Sequence, residues 1–277
     1  MLSPSHNPLP EPTIPASEPP TGGPIEPRVP VPPLVENPHW SLWDVLALAI
    51  ITILTIALSL LAVSFAAHRY LYPHLPWAEV AQRPDLIVLS QLVAYVIVLG
   101  VMYQLAGDTS RAQVAGSIRW NWPRNWGLFL VCGVALSLGL QLFARVLPMP
   151  KKLPLDAFFQ TPRQAWLLSL FGITFAPLLE ELFFRGFLYP VLARGLRVPA
   201  AVVLTALLFA FIHGSQLSFS WGPVLIIFLV GLTLTAVRAY KKSVACALLM
   251  HIAYNATIST ALFFTTDGFR HLERLNQ

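Results

Sequence analysis

The sequence predicts an all-α fold, a polytopic bundle of about seven to eight transmembrane helices, and three observations predict it. Hydrophobic residues make up 56% of the 277-residue chain and charged residues only 11%, whereas a soluble domain carries roughly 25% charge. The apolar residues are gathered into blocks of roughly 20, the length a helix needs to cross a bilayer core of about 30 Å. The basic residues behind the net charge of +5 sit at the ends of these blocks, where cations and aromatic side chains anchor membrane helices. They form no stripe interleaved with aromatics, so nucleic acid is not an expected partner.

Taken in order, residues 1–38 hold 13 of the 25 prolines and show no apolar periodicity. Such a stretch favours extended polyproline II and builds no core. Residues 1–40 are therefore read as a disordered Pro-rich tail, with a docking segment for a partner as the alternative. A signal peptide does not fit, because no charged start leads directly into an apolar region. N-terminal transmembrane helices are expected over 41–150 and the functional core over 151–277.

Seven apolar segments follow, at approximately 44–67, 86–105, 126–147, 164–193, 199–213, 222–239 and 243–265. The fourth is too long for a simple span, so it must tilt, protrude or break, with Pro177 and Pro190 as the expected kink points. The fifth is short, which predicts shelter among its neighbours. Trp40 and Trp43 flank the first segment and Trp120, Trp122 and Trp126 the third, as interfacial anchors do. With seven spans, nine Lys and Arg residues, among them Arg28, Arg119 and Arg238, fall on the side of the N-terminus. Seven, among them Lys151, fall on the other. That excess predicts a cytoplasmic N-terminus. Cys132 and Cys246 lie inside apolar blocks without metal-ligand spacing, and the chain has no internal repeat.

Ionisable residues inside the spans are few. Of the acids only Glu180 and Glu181 fall there clearly, of the histidines only His213 and His251, and of the basic residues Arg185 is the one expected to lie deep. A charge at mid-bilayer costs roughly 2.5–3.5 kcal/mol even on the lenient insertion scale, so their clustering needs a cause. Glu181 and Arg185 are four apart and share a helix face, in the favourable order for an ion pair. Glu180 is rotated about 100° away and is left as the free carboxylate. Phe209 shares a face with His213, and His251 with Asn255. At about 1.5 Å per residue, Glu180, His213 and Asn255 lie about 20, 21 and 18 Å from the face carrying the N-terminus, and His251 about 12 Å. Three helices thus bring polar groups to one layer.

A buried carboxylate beside imidazoles suits general-base activation of water. A second imidazole and an amide suit hydrogen bonding to the oxyanion of amide hydrolysis. Bland readings stand beside these. Glu180, Glu181 and Arg185 alone also make a structural ion cluster, and His213, His251 and Asn255 alone also make interhelical glue. Phe209 reads as packing on either view, and Gly186, Gly214 and Gly231 as close-approach or helix-end glycines.

At these residues the sequence resembles a known family, the CAAX protease and bacteriocin-processing (CPBP) intramembrane endopeptidases, which include the type II CAAX prenyl endopeptidases. The family pattern EExxxR, FxxxH, HxxxN is met by Glu180-Glu181 with Arg185, by Phe209 with His213, and by His251 with Asn255. Each piece alone is weak, but together and in order within successive spans they are specific, over about residues 160–265. The resemblance implies that Glu180 and His213 activate water, that His251 and Asn255 stabilise the oxyanion, and that Glu181 and Arg185 support them. It implies a membrane-associated or lipidated protein or peptide substrate and a multi-pass location in the plasma membrane of a bacterium. No cofactor is expected from the glutamate-based reading. Family members are also described as metalloproteases, and a His₂Glu set is a known zinc ligand set, although no HExxH spacing occurs; a zinc-dependent form is the alternative. A non-catalytic scaffold or immunity-type protein with the same polar core is a second alternative, and a proton-coupled carrier a third.

Overall fold

The first span begins at a polar cap. Ser41 and Asp44 exchange bonds, with the Ser41 amide donating to Asp44 Oδ2 at 2.7 Å and the Asp44 amide to Ser41 Oγ at 3.3 Å. This capping box satisfies amides that the first helical turn leaves free. It opens α1 (Leu42–Tyr70), which is followed by the short α2 (Trp77–Ala81), by α3 (Pro84–Leu105) with proline in its first turn, and by α4 (Arg111–Ser117). Then come α5 (Trp126–Ala144), α6 (Pro162–Ile173), α7 (Phe175–Glu181), a π-helical turn (Leu182–Leu188) and α8 (Tyr189–Gly195). The last three helices are α9 (Val198–His213), α10 (Trp221–Lys241) and α11 (Val244–Thr265).

This computed structural model describes residues 36–107, 111–150 and 152–276, and no strand occurs among them. The Pro-rich tail through residue 35, and Arg28 and Lys151 of the charge count, lie outside the described residues. Among the described residues seven helices are long and apolar enough to cross a membrane: Leu42–Tyr70, Pro84–Leu105, Trp126–Ala144, Pro162–Gly195, Val198–Leu217, Trp221–Lys241 and Val244–Thr265. They coincide with the seven apolar segments. Along α1, Ile50, Ile53, Leu54, Leu58, Leu61 and Phe65 are all exposed. A contiguous apolar face of that kind is unfavourable in water and has no such penalty against lipid tails, which are equally apolar. The chain is a multi-pass membrane protein.

The fourth span is broken, as its length demands. Pro177 has no amide to offer the carbonyl four residues back. The helix stops at Thr174 (φ −113°, ψ −74°), whose hydroxyl turns back to the Leu170 carbonyl at 2.6 Å. The second irregularity precedes Pro190. There the Tyr189 amide reaches back five residues to the Phe184 carbonyl, a wide turn of a type that recurs at functional sites.

Two close approaches bring the core helices together. A Cβ added at Gly133 on α5 would run into the Met250 carbonyl and the Ala253 side chain on α11; one at Gly231 on α10 would lie 3.0 Å from the Phe209 ring. Small residues of this kind let membrane helices pack backbone to backbone. Gly186 has no comparably tight neighbour.

Two expectations change. Trp40 is not an interfacial anchor: it is buried, with its indole N–H donating to the Phe187 carbonyl at 3.0 Å, while Trp43 is exposed. Arg185 is not the only fully buried cation. Arg238, in the last turn of α10, is fully buried as well, because it has partners that spacing along the chain does not reveal.

Candidate active site

Glu180 lies one residue from the end of α7, His213 ends α9, and His251 lies in the first half of α11. The Glu180 carboxylate stands 3.7 Å from Nε2 of His213 through one oxygen and 3.7 Å from Nε2 of His251 through the other. Its side chain is 21% exposed, against 18% for His213 and 5% for His251. The acid and both imidazoles predicted to share a layer are thus together, with an opening on the Glu180 and His213 side.

The partners of the imidazoles fix their tautomers. His213 Nδ1 lies 2.8 Å from the Phe209 carbonyl oxygen; a carbonyl only accepts, so Nδ1 carries the proton and Nε2 of the neutral ring presents a lone pair. His251 Nδ1 lies 2.8 Å from Glu181 Oε1, and that carboxylate is ion-paired to Arg185 Nη1 at 2.9 Å. Nδ1 is again the donor. Both rings therefore turn Nε2 toward Glu180.

Behind this face lies a dry ion cluster. Glu181 and Arg185 are fully buried. Arg185 also donates from Nε to Thr235 Oγ1 at 3.2 Å and from Nη2 to the Gly231 carbonyl at 3.1 Å. Its guanidinium stands over the Phe209 ring, 4.5 Å from the centroid. That ring in turn meets the His213 ring at 4.7 Å and the His251 ring at 6.0 Å. Phe209 is packing, as expected, but it is the packing that spaces both imidazoles and the arginine. Buried charges hold together only when paired and hydrogen-bonded; Glu181 Oε1 accepts from both Arg185 and His251, while Glu181 Oε2 is buried without a partner among the described residues.

Asn255 takes a different place. Its Nδ2 donates to the Gly172 carbonyl on α6 at 2.6 Å, so one of its two N–H groups ties α11 to α6. Sequence reasoning also passed over Thr235 and Tyr95, and read Gly231 as a close-approach glycine without its role as an acceptor for Arg185. Tyr95, on α3, lies within electrostatic reach of Glu180 and stacks on Phe171 at 5.7 Å. Only the rarity of a phenol in an apolar block could have marked it.

Zinc chemistry asks for three or more donors around one point. Among the described residues no group of three or more His, Cys, Asp and Glu side chains could hold a metal ion.

Residues 162–257 match the family model described as type II CAAX prenyl endopeptidase Rce1-like. The match contains Glu180, Glu181, Arg185, His213, His251 and Asn255, agrees with the resemblance to CPBP proteins carried by the three motifs, and leaves the first three spans outside. No curated protein and no solved structure matches the chain.

Proposed function

We propose that this protein is an intramembrane endopeptidase that hydrolyses peptide bonds of membrane-associated substrates with water activated by Glu180 and His213. The observation that carries the reading is the Glu180 carboxylate set 3.7 Å from two imidazole Nε2 atoms. With Nδ1 of His213 already donating, Glu180 and His213 Nε2 are acceptors facing one another, and a water molecule supplies the two donors they lack.

Water held there has its protons on Glu180 and His213 and a lone pair free for a substrate carbonyl. As the C–O bond forms, the proton passes to Glu180, and the carbonyl oxygen becomes an oxyanion. Asn255 offers it the second N–H of its amide; His251 offers Nε2–H when its ring carries both protons between Glu181 and Glu180. Collapse breaks the C–N bond, and the proton returns from Glu180 to the leaving amine. Glu181 and Arg185 touch no substrate in this scheme; they orient His251. The family match supports a protease working on membrane-associated substrates, and the resemblance to CPBP proteins supports the plasma membrane of a bacterium as its place.

An apolar groove of about 390 Å³, lined by Tyr103, Val114, Ala115, Ile118, Trp120, Leu178 and Leu182, runs beside the helix that carries Glu180. It suits a hydrocarbon chain on the substrate, and a lipidated C-terminal segment is the substrate class it favours.

The decisive experiment compares cleavage of a co-expressed membrane substrate by the wild type, Glu180→Gln and His213→Gln. Both variants should accumulate normally and lose about 10²-fold or more in rate, the scale of a positioned general base. Undiminished cleavage in either would rule out this mechanism and favour the scaffold reading. A chelator added to purified wild type should leave the rate unchanged; loss of activity restored by zinc would establish the zinc-dependent form.

A further inference from the structure

We infer that the five residues ahead of the first span, Glu36–Trp40, are a positioning strap for the candidate site, acting through the π-turn that carries Arg185. The need for such a strap is written into the fourth span. The Tyr189 amide bonds the Phe184 carbonyl five residues back. The next amide in that register belongs to Pro190, which has no proton to give. The Arg185 carbonyl is thus left without its helical donor inside a buried segment, an unfavourable situation unless another group supplies one.

Arg238 supplies it, donating from Nε to the Arg185 carbonyl at 3.1 Å. Two residues on, the Trp40 indole donates to the Phe187 carbonyl at 3.0 Å, with the two rings 4.8 Å apart. The strap holds both donors in place. Glu36 Oε1 accepts from Arg238 Nη1 at 3.0 Å and Glu36 Oε2 lies 3.7 Å from Arg119 Nε. The Pro38 carbonyl accepts from Arg194 Nη1 at 2.7 Å, and the His39 Nε2 donates to the Leu105 carbonyl at 2.9 Å.

These contacts join the end of the tail to the catalytic layer without a gap. Glu36 holds Arg238, Arg238 holds the Arg185 backbone, the Arg185 side chain holds Glu181 at 2.9 Å, and Glu181 holds His251 at 2.8 Å. Glu36 and Trp40 reach no reacting group. They are positioning residues, setting the pitch of the π-turn and through it the orientation of His251 beside Glu180.

The test reads site geometry directly and rests on the peptidase reading only in its kinetic arm. The full-length protein in detergent is treated with diethyl pyrocarbonate, and labelling of each histidine is followed by mass spectrometry. Trp40→Phe keeps the ring and removes the N–H; Glu36→Ala removes the acceptor, and Glu36→Gln keeps one acceptor oxygen. Labelling of His251 should rise roughly tenfold in Trp40→Phe and Glu36→Ala, the scale of one lost buried hydrogen bond, and less in Glu36→Gln. His74, which is exposed, and His271, whose side chain is 45% exposed, both far from the strap in sequence, should label as in the wild type. In the kinetic arm kcat should fall while KM stays within about twofold, the pattern of an interaction made only in the transition state. Unchanged His251 labelling overturns the inference, as does a rise shared by every histidine, which would mean general loosening. A wild type without cleavage, but with His251 labelling that responds to the strap variants, removes the peptidase reading and upholds the strap.

Discussion

Glu180 and Glu181 are neighbours in sequence, yet a rotation of about 100° between successive helical positions gives them opposite surroundings. Glu181 is sealed against Arg185 and His251, whereas Glu180 keeps an opening and faces two Nε2 atoms. The first of these relations was legible locally, because four residues of helix set the Glu181–Arg185 pair. The bond from Glu181 to His251 was not, since it spans 70 positions. A prediction at this scale follows from burial. Glu181→Gln leaves the Arg185 guanidinium without its counter-charge where no water reaches, a change that costs about 3–5 kcal/mol in comparable buried pairs. Thermal unfolding in detergent should show the loss, and the double variant Glu181→Gln/Arg185→Met should recover part of it. A double variant as unstable as the single one would mean that the unpaired charge is not the cause.

At the scale of elements, the fourth span shows how much a proline can announce. Both expected irregularities occur beside their prolines, with the break at Thr174 ahead of Pro177 and the wide turn ahead of Pro190. What the prolines could not announce was the repair. Arg238 was counted in the sequence as a cation of the membrane face, and Trp40 as an anchor; each instead donates to a carbonyl of the π-turn. The approach of α5 to α11 belongs to this scale as well. Gly133→Leu drives a side chain into the Met250 carbonyl, one residue from His251, so α11 must shift away from α5. We expect lower stability by about 1–3 kcal/mol, as for overpacked sites generally, together with reduced cleavage. Gly139→Leu, on the same helix where a Cβ meets nothing within 4 Å, should be neutral. Equal effects at the two glycines would argue against close packing as the cause.

At the scale of the molecule, the groove beside the helix that carries Glu180 exists only because α3, α4, the loop carrying Trp120 and the fourth span meet. Ala115→Trp fills it without touching any group assigned to the chemistry. The KM for a lipidated peptide should rise by roughly tenfold or more, the scale on which an apolar pocket rejects surplus volume, and cleavage of the same peptide without its lipid should be unaffected. An equal loss for both peptides would detach the groove from substrate choice. By itself the sequence determined the all-helical class, the seven spans and which acids and imidazoles fall within them. It could do so because the bilayer fixes the length of an apolar segment and taxes every charge within it, so a lone buried polar residue stands out in one dimension. The tertiary structure alone decided which partners those residues keep: His251 against Glu181, Asn255 against Gly172, Arg238 between Glu36 and the π-turn. Those pairings join residues 53 to 202 positions apart, and no local spacing encodes them, because a buried donor is satisfied by whichever acceptor the packing of other helices brings within 3 Å or so.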